Sequence, residues 1–541
     1  MSRSADAVII GSGHNALVAA AYLARAGWSV EVIEQAAQPG GAVITEELTV
    51  PGYRHDTFSS WHPLFHTSGA WAELGDELSA RGLQYANFND VLTATARSDG
   101  SSVVAHRDPE RTAAELARAD AETYLRELGE LGAHMPVLGE LLSTELHSAQ
   151  AVRLVAGLTR SMGVRGGLAF ASRAVASARG WLSERFAGPE LGDLFAPWVL
   201  HTGLTPDDAG GAFPMLALAG GIHEVGLPVV RGGSSHFTDA FVRLVQDHGG
   251  VVRCGTEVER IVVRSGRAAG VIAGGEEVTA RRAVIANTTP TQLYGRLLDD
   301  APVSAAVRAQ AQRYRYGRRS GTQIHLALSE APRWRGDPRL GDAAIVHVTD
   351  GLDSVSRACA QAASGLLPDR PTIVCGQPTV ADPSRAPAGG GLLWIQLQEV
   401  PPHPVGDAGG EIGVGDGTWT DELADAYADR VVALLAERIE NLPTAIVGRA
   451  VISPAELERR NPNLVGGDIY SGAADLDQSY LWRPLPGYGS HCTPVDGLYQ
   501  CGAGTHPGPG LNAASGRIVA RALLRDSLRA RVRRGVASRR R

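Results

Sequence analysis

Apolar and polar positions change rhythm several times along the chain, and each change predicts a different kind of element. Residues 7–10, Ala-Val-Ile-Ile, are a short run with no polar face, as in a strand buried from both sides. Gly11-Ser12-Gly13-His14-Asn15-Ala16 follows at once. Residues 17–26 are rich in Ala and Leu without Gly or Pro, which predicts a helix, and Gly27 stands where a left-handed residue closes it. Residues 29–33 alternate, carry β-branched side chains and end at Glu34, completing one βαβ unit.

A second rhythm covers 108–222. Asp108-Pro109-Glu110 is a helix start, with a capping Asp and Pro at the first helical position. The Ala/Leu/Arg stretches 111–130 and 151–162 follow, separated by glycines, and predict a mostly helical insert. Near 230 the pattern changes again. Ser234 and Ser235 are expected to cap a helix whose Phe237, Ala240, Phe241, Leu244 and Val245 fall at helical spacing, and Gly249-Gly250 stop it. Residues 251–254, 257–263, 268–272 and 277–279 predict a β-meander joined by Ser-Gly-Arg and Gly-Gly turns, with 282–286 a further buried strand. Residues 300–480 mix strands (323–328, 392–398), a helix (421–441) and Pro/Gly-rich loops, and 497–528 reads as strand, glycine-rich turn, helix.

Composition narrows the function classes. A chain of 541 residues corresponds to roughly two to four domains. Its 51 basic and 58 acidic residues give a net charge of −7, which argues against a protein held by a nucleic-acid backbone. Every basic residue is Arg, so Schiff-base chemistry, pyridoxal-phosphate chemistry and a Walker-type phosphate loop are excluded. Five cysteines without a C-x-x-C pair support neither a disulfide framework nor a zinc ribbon. The first residues lack the regions of a signal peptide, and the apolar stretch 7–26 is interrupted by Gly11, Gly13, His14, Asn15 and Arg25, so a reducing, cytoplasmic setting is expected. Residues 525–541 carry eight Arg and one Asp; this tail and the Arg-bearing helices near 151–165 suit peripheral contact with anionic lipid, the plainer alternative being a solvated basic tail.

The chemistry begins at residues 11–16. A pyrophosphate needs free backbone N–H groups at a helix N-terminus with no side chain in the way. Gly11 permits the tight turn, Gly13 the close approach, and the small Ala16 the packing of helix on strand. Glu34, 23 positions after Gly11, is placed to accept hydrogen bonds from ribose hydroxyls and to repel a 2′-phosphate. The turn thus predicts an adenine-dinucleotide site that also takes in His14, Asn15 and Gln35. Pro39-Gly40-Gly41 is a second close-approach turn, and 501–512, Cys-Gly-Ala-Gly-Thr-His-Pro-Gly-Pro-Gly-Leu-Asn, a third. His62 and His66 are four apart, but Pro63 and the missing carboxylate argue against a metal, and none is expected. Tyr314, Tyr316, Trp394, Trp482 and Tyr488 suit either plain core or the wall of an apolar tunnel.

The stretches GSGHNALVAAAYLARAG (11–27), GGAVITEELTVPGYRHD (40–56), LPVVRGGSSHFTDAFVRLVQDHGGVVRCGTEVERI (227–261) and NPNLVGG…GAGTHPGPGLNAASG (461–516) resemble the flavoprotein oxidoreductases of the phytoene-desaturase-related group. The resemblance implies an α/β fold of glutathione-reductase and amine-oxidase type, with a Rossmann-like, discontinuous FAD-binding domain (1–75, 225–295 and 485–541). It implies a mixed-sheet substrate domain (76–107 and 296–484) and a helical insert (108–224). It places Gly11, Gly13 and Ala16 at the FAD pyrophosphate, Glu34 at the ribose, and Gly40 and Gly41 near the phosphates or ribityl chain. The Val258 backbone falls at the adenine, and Gly502, Gly504, Gly510, Leu511 and Asn512 against the flavin. Ala42 stands where many amine-oxidase-type relatives have Arg, and Gly504 where many flavoproteins have an acid.

The implied reaction is dehydrogenation of an apolar, isoprenoid or polyene-like molecule by hydride transfer. Oxygen, a quinone or NAD(P) are the open acceptors. His506 is the candidate catalytic residue beside the ring, and Asp56, Trp61 and His62 are candidates for the flavin entrance. Three other readings stand beside it: a redox-neutral isomerase, a lipid-escort module, and an amine oxidase, the last disfavoured because that group usually carries a lysine.

Overall fold

The computed structural model describes residues 3–88 and 90–538, with side chains to 527. The tail whose charges suggested lipid contact therefore falls mostly outside the described side chains.

Two large sheets organise the chain. In the first, the strands run in the order Val258–Arg264, Arg267–Ala273, Glu276–Ala286, Arg3–Ile10, Val30–Ile33, Val251–Arg253, and Leu498–Gln500 adds beside the end of Glu276–Ala286. Arg3–Ile10 is parallel to both of its neighbours. Its run Ala7–Ile10 is buried on both faces, as the unbroken apolar pattern requires. The helix α1 (His14–Arg25) crosses back over the sheet, and its Ala16, Leu17, Ala19, Ala20 and Leu23 are fully buried. Gly27 closes it with φ +79°, as expected of a left-handed terminal residue.

The helical segment contains α2 (Arg118–Leu142), α3 (Ala149–Val175) and α4 (Ala212–Val225). α3 is kinked at Gly163, whose φ of 69° and ψ of 167° are not helical. α5 (Ser235–Asp247) returns to the first sheet and packs on α1, and α6 (Ala514–Ser538) packs on the other flank of α1. The small side chains of α1 allow both close approaches.

The second sheet has the order Ile446–Ile452, Ser320–Leu328, Gly391–Val400, Ile373–Gly376, Ile345–Val348, Val91–Ala96, Ser102–His106. Its central strands are buried on both faces. One face carries Ile324, Leu326, Leu393 and Ile395 against the helix Asp421–Ala436. The other carries Trp394, which meets Trp61 edge-on with ring centres 5.1 Å apart. No helix of the described residues is long and apolar enough to cross a membrane.

Three local expectations need correction. Val251–Arg253 is not part of a meander: it lies parallel to Val30–Ile33 and extends the core of the first sheet, because the α5 crossover delivers it there. Residues 277–279 and 282–286 form one continuous strand, Glu276–Ala286, of which one end pairs with Arg267–Ala273 and the other with Leu498–Gln500. Ser234 caps α5 with no side-chain bond. Its Oγ donates instead to the Ser59 carbonyl at 3.0 Å, tying α5 to the segment that follows the Gly40-Gly41 turn.

Candidate functional site

Strands Arg3–Ile10, Glu276–Ala286 and Leu498–Gln500 are parallel, so their C-terminal ends open on the same edge of the sheet, where open α/β sheets bind ligands. A loop leaves each end: 11–13, 287–289 and 501–513. Together they floor a cleft of about 280 Å³.

The first loop is built for an anion. Gly11 holds φ +82° and Gly13 precedes α1. The first turn of α1 has neither a capping side chain nor an acidic residue, so its N–H groups face the cleft uncompensated. A Cβ on Gly13 would come 2.6 Å from Asn287 Nδ2, and one on Gly41 would come 3.1 Å from Gly13 Cα. The backbone is therefore open only toward the cleft.

Glu34 is 8% exposed. Its Oε2 accepts from the Ser12 N–H at 2.8 Å and the Ser12 hydroxyl at 2.7 Å, and its Oε1 accepts from the Ala36 N–H at 2.9 Å. The carboxylate thereby pins the second strand's end to the phosphate-type turn. The Gly40 N–H donates to Ser12 Oγ at 3.2 Å, and Gly40 bridges Gly13 in strand fashion.

The C-terminal loop meets the first one directly. The Gly516 N–H donates to Asn15 Oδ1 at 3.0 Å, and a Cβ on Gly516 would fall 1.9 Å from the Asn15 carbonyl oxygen. The α1 and α6 starts therefore touch. The His14 ring reaches the Gly510 backbone, and its burial lowers its pKa to about 4, so it is neutral at pH 7.

Thirteen of the sixteen residues expected to touch a dinucleotide line the cleft: Gly11, Gly13, His14, Asn15, Glu34, Gln35, Gly41, Ala42, Val258, Gly502, Gly504, Gly510 and Leu511. Ala16 does not; it is wholly buried in the core beneath α1. Gly40 lies behind its neighbour Gly41, with Val43 and Thr238 filling the space where a Cβ would be. Asn512 caps α6, its Oδ1 accepting from the Ala514 N–H at 2.9 Å. The Val258 carbonyl already accepts from Arg296 Nη1 at 3.3 Å.

His506 is not beside the cleft. Its ring is turned toward the Leu141 and Leu142 carbonyls at the end of α2, and both its nitrogens lack a hydrogen-bond partner. Burial lowers its pKa to about 4. Its carbonyl accepts from His491 Nε2 at 3.0 Å, while His491 Nδ1 pairs with Glu145 Oε2 at 2.8 Å.

The other entrance candidates have structural partners. Asp56 is fully buried in an ion pair with Arg385 at 2.5 Å. Trp61 packs on Trp394, His62 meets the Tyr85 hydroxyl at 3.1 Å, and His66 stacks on Trp71. Among the described residues no group of His, Cys, Asp or Glu could hold a metal ion. Tyr314 and Tyr316 belong to the core beneath the first sheet, and Trp482 is exposed.

Sequence reasoning missed Asn287, Arg296 and the Asn461-Pro462-Asn463 turn, all of which line the cleft. The Asn287 amide stands between the two glycine turns. Its Nδ2 faces Gly13, and its Oδ1 lies 2.6 Å from where a Cβ on Gly502 would sit. The Asn463 Nδ2 donates to the Asn287 carbonyl at 3.2 Å, and its Oδ1 accepts from the Thr289 N–H at 3.0 Å. The usable signal was positional: Asn287 directly follows the apolar strand run 283–286, as Gly11 follows 7–10.

The cleft fits an adenine dinucleotide by its own chemistry. One end has a ribose-type carboxylate, the middle has open backbone at a helix start, and the far end is walled by Ile44, Ser59, Ile469 and Leu511.

Residues 9–78 match the family model of NAD(P)-binding Rossmann-like domains. Over 96% of its length the chain is 28% identical to the pyridine nucleotide-disulfide oxidoreductase domain-containing protein 2 of Rattus norvegicus, of which 93% is covered. It is 25% identical to the phytoene desaturase (neurosporene-forming) of Rhodobacter capsulatus over 95% of this chain and 93% of that one. Among solved structures, an oxidoreductase from Methanosarcina mazei superposes with a TM-score of 0.59 at 16% identity, covering 96% of this chain and 99% of the other.

Proposed function

We propose that this chain, which belongs to the carotenoid-desaturase-like FAD-dependent oxidoreductases, desaturates an apolar, isoprenoid or polyene-like molecule. One observation carries the reading. The N-terminal turn, the 287–289 loop and the C-terminal turn converge on one cleft whose far end is apolar and holds no carboxylate among its described lining residues. FAD is the cofactor, and when bound it supplies the acceptor for a hydride leaving carbon.

The residues divide the work. The N–H groups at the start of α1, with Gly11, Gly13 and Gly41 clearing the way, hold the pyrophosphate. Glu34 takes the ribose hydroxyls and Val258 lies at the adenine. Gly502, Gly504, Gly510 and Leu511 position the ring end. The second sheet serves as the substrate wall. Its Gly321 lets Ile469 pack closely at the cleft, since a Cβ there would come 2.7 Å from Ile469 Cγ2.

His14 is the one histidine lining the cleft among the described residues and is neutral. A proton lost from the substrate therefore passes to water or an unassigned group, as carbon acids conjugated to a polyene allow.

The test is anaerobic mixing of the FAD-loaded protein with an acyclic polyene. Loss of the yellow absorption together with a product lacking two hydrogens supports desaturation. Product formation with the flavin in its starting state favours the isomerase reading instead.

A further inference from the structure

Exposed aliphatic side chains are scattered on most proteins, and singly they mean little. Here they are concentrated. Of the eleven large hydrophobic residues that are exposed among the described residues, five lie on α3: Val152, Val155, Val164, Leu168 and Val175. Two more, Leu481 and Trp482, lie at the start of α3, where His147 Nε2 meets the Leu481 carbonyl at 2.9 Å.

After the kink at Gly163 the pattern is regular. Val164, Leu168, Ala171 and Val175 recur at i, i+4, i+7 and i+11, which aligns them on one helical face. That face is turned to solvent: Val164 is 73% exposed and Leu168 68%. Of the residues of α3 only Ala151 is fully buried.

Charge identifies what this face meets. α3 contains four arginines and no Asp or Glu. Arg173 is neutralised by Glu127 and Glu130 of α2, whereas Arg153, Arg160 and Arg165 pair with no carboxylate among the described residues. A second copy of the helix laid on this stripe would set unpaired arginine against arginine. An anionic surface gains from each of them, and an apolar stripe flanked by arginines beside an exposed Trp matches the interface of a bilayer.

We propose that α3, with the Leu481-Trp482 turn, docks the protein on the surface of an anionic lipid bilayer. The helix lies on the surface and does not cross it. Beneath it, Phe170 meets Phe213 of α4, and the apolar cluster under α4 continues through Met215 to Trp394 and Trp61, two residues from the cleft-lining Ser59. The proposal concerns binding alone and stands apart from the identity of the substrate.

Flotation of the full-length, FAD-loaded protein with phosphatidylcholine vesicles, with and without phosphatidylglycerol, tests it. The wild type is expected to float with the anionic vesicles, and less so as salt rises. Val164→Asp with Leu168→Asp should reduce partitioning by about tenfold or more. Replacing Arg153, Arg160 and Arg165 by Gln should cost about fivefold per charge. Retention of FAD shows that each variant is folded. Absence of binding to anionic vesicles overturns the proposal, as does unchanged binding of the aspartate variant, which would assign the contact to another surface such as the tail. Self-association of the wild type that the aspartate pair abolishes also overturns it and assigns the stripe to a second copy.

Discussion

Replacing Arg385 by Met removes a charge from the centre of the molecule, and its cost can be worked from the contacts. Arg385 is fully buried and donates to Asp56 Oδ2 at 2.5 Å, to Asp382 Oδ2 at 3.2 Å and to the Val230 carbonyl at 2.7 Å. Asp56 is equally buried. Burial alone would raise its pKa, but Arg385, the Ser60 hydroxyl and the Ser234 N–H outweigh it and hold the carboxyl below its usual value. The Thr45 hydroxyl also donates to it, at 2.7 Å. Stranding one member of a buried pair costs about 3–5 kcal/mol. Because Asp56 keeps three neutral donors, R385M is expected at the lower end, about 3 kcal/mol. Asp56→Asn should cost a similar amount, since its amide would face donors on two sides while the guanidinium keeps only Asp382 of its two carboxylate partners. The double variant should cost about 4 kcal/mol rather than the sum, a coupling of about 2 kcal/mol. Guanidinium unfolding of all four proteins, with FAD saturating, measures the cycle. Single costs under about 1 kcal/mol, or additivity within about 0.5 kcal/mol, would refute the view that this pair joins the 40–62 segment to the Pro383–Arg385 turn between two strands of the second sheet.

Three further outcomes are expected. Gly13→Ala should leave the fold intact, because the added methyl meets only the end of the Asn287 side chain at 2.6 Å; titration of the apoprotein should show FAD affinity reduced by roughly tenfold or more. Glu145 has its pKa lowered from 4.5 to about 2, its hydrogen bonds to His491 outweighing a burial that alone would raise it. A depressed carboxyl stabilises the fold above its unfolded pKa and loses that contribution as pH falls through the folded one. The melting-temperature gap between wild type and E145Q should therefore be constant above about pH 5 and close progressively below it. With His14 neutral, Glu34 the one carboxylate and Cys501, whose thiol burial pushes up to about 12, the one thiol among the described lining residues, the anaerobic flavin-bleaching rate should vary less than about twofold between roughly pH 6 and 9; a bell-shaped profile would show that an acid or base has been overlooked.

The parts of the site that are local in the chain were legible before any coordinates. A tight turn between a buried strand and an Ala-rich helix has few chemical solutions, so Gly11, Gly13 and Glu34 declare themselves. The parts that were not legible depend on where distant strands end. Asn287 and Asn463 are neither glycine nor charged; Asn287 is marked only by its place after the apolar run 283–286, and Asn463 by nothing until Glu276–Ala286 is seen between Arg3–Ile10 and Leu498–Gln500. His506 shows the reverse failure. Adjacency to a flavin-side turn fixes the position of its backbone but not the direction of its ring, which the end of α2 takes up. Asp56 looked like a lining residue because its partner Arg385 is 329 positions away. The sequence likewise offered Arg-bearing helices near 151–165 with lipid contact for their charges, but not that an apolar stripe would face outward beside them, since exposure depends on what fails to cover a face.

The arrangement ties cofactor binding to the assembly of the chain's two ends. The starts of α1 and α6, more than 500 residues apart, meet through Gly516 and Asn15. Asn287, from the strand between them, sets its amide against Gly13 on one side and Gly502 on the other. None of these contacts is a large apolar packing surface. Each is a close approach of polar groups, and Gly13, Asn15, Asn287 and Gly502 among them line the cleft. A ligand spanning the pyrophosphate turn and the C-terminal turn would bind only the arrangement in which both are in place, so its binding free energy adds directly to the stability of that arrangement. The apoprotein should therefore loosen first where the ends meet, at 11–15, 287–289 and 502–516, while the second sheet, whose core is independent of the cleft, keeps its protection.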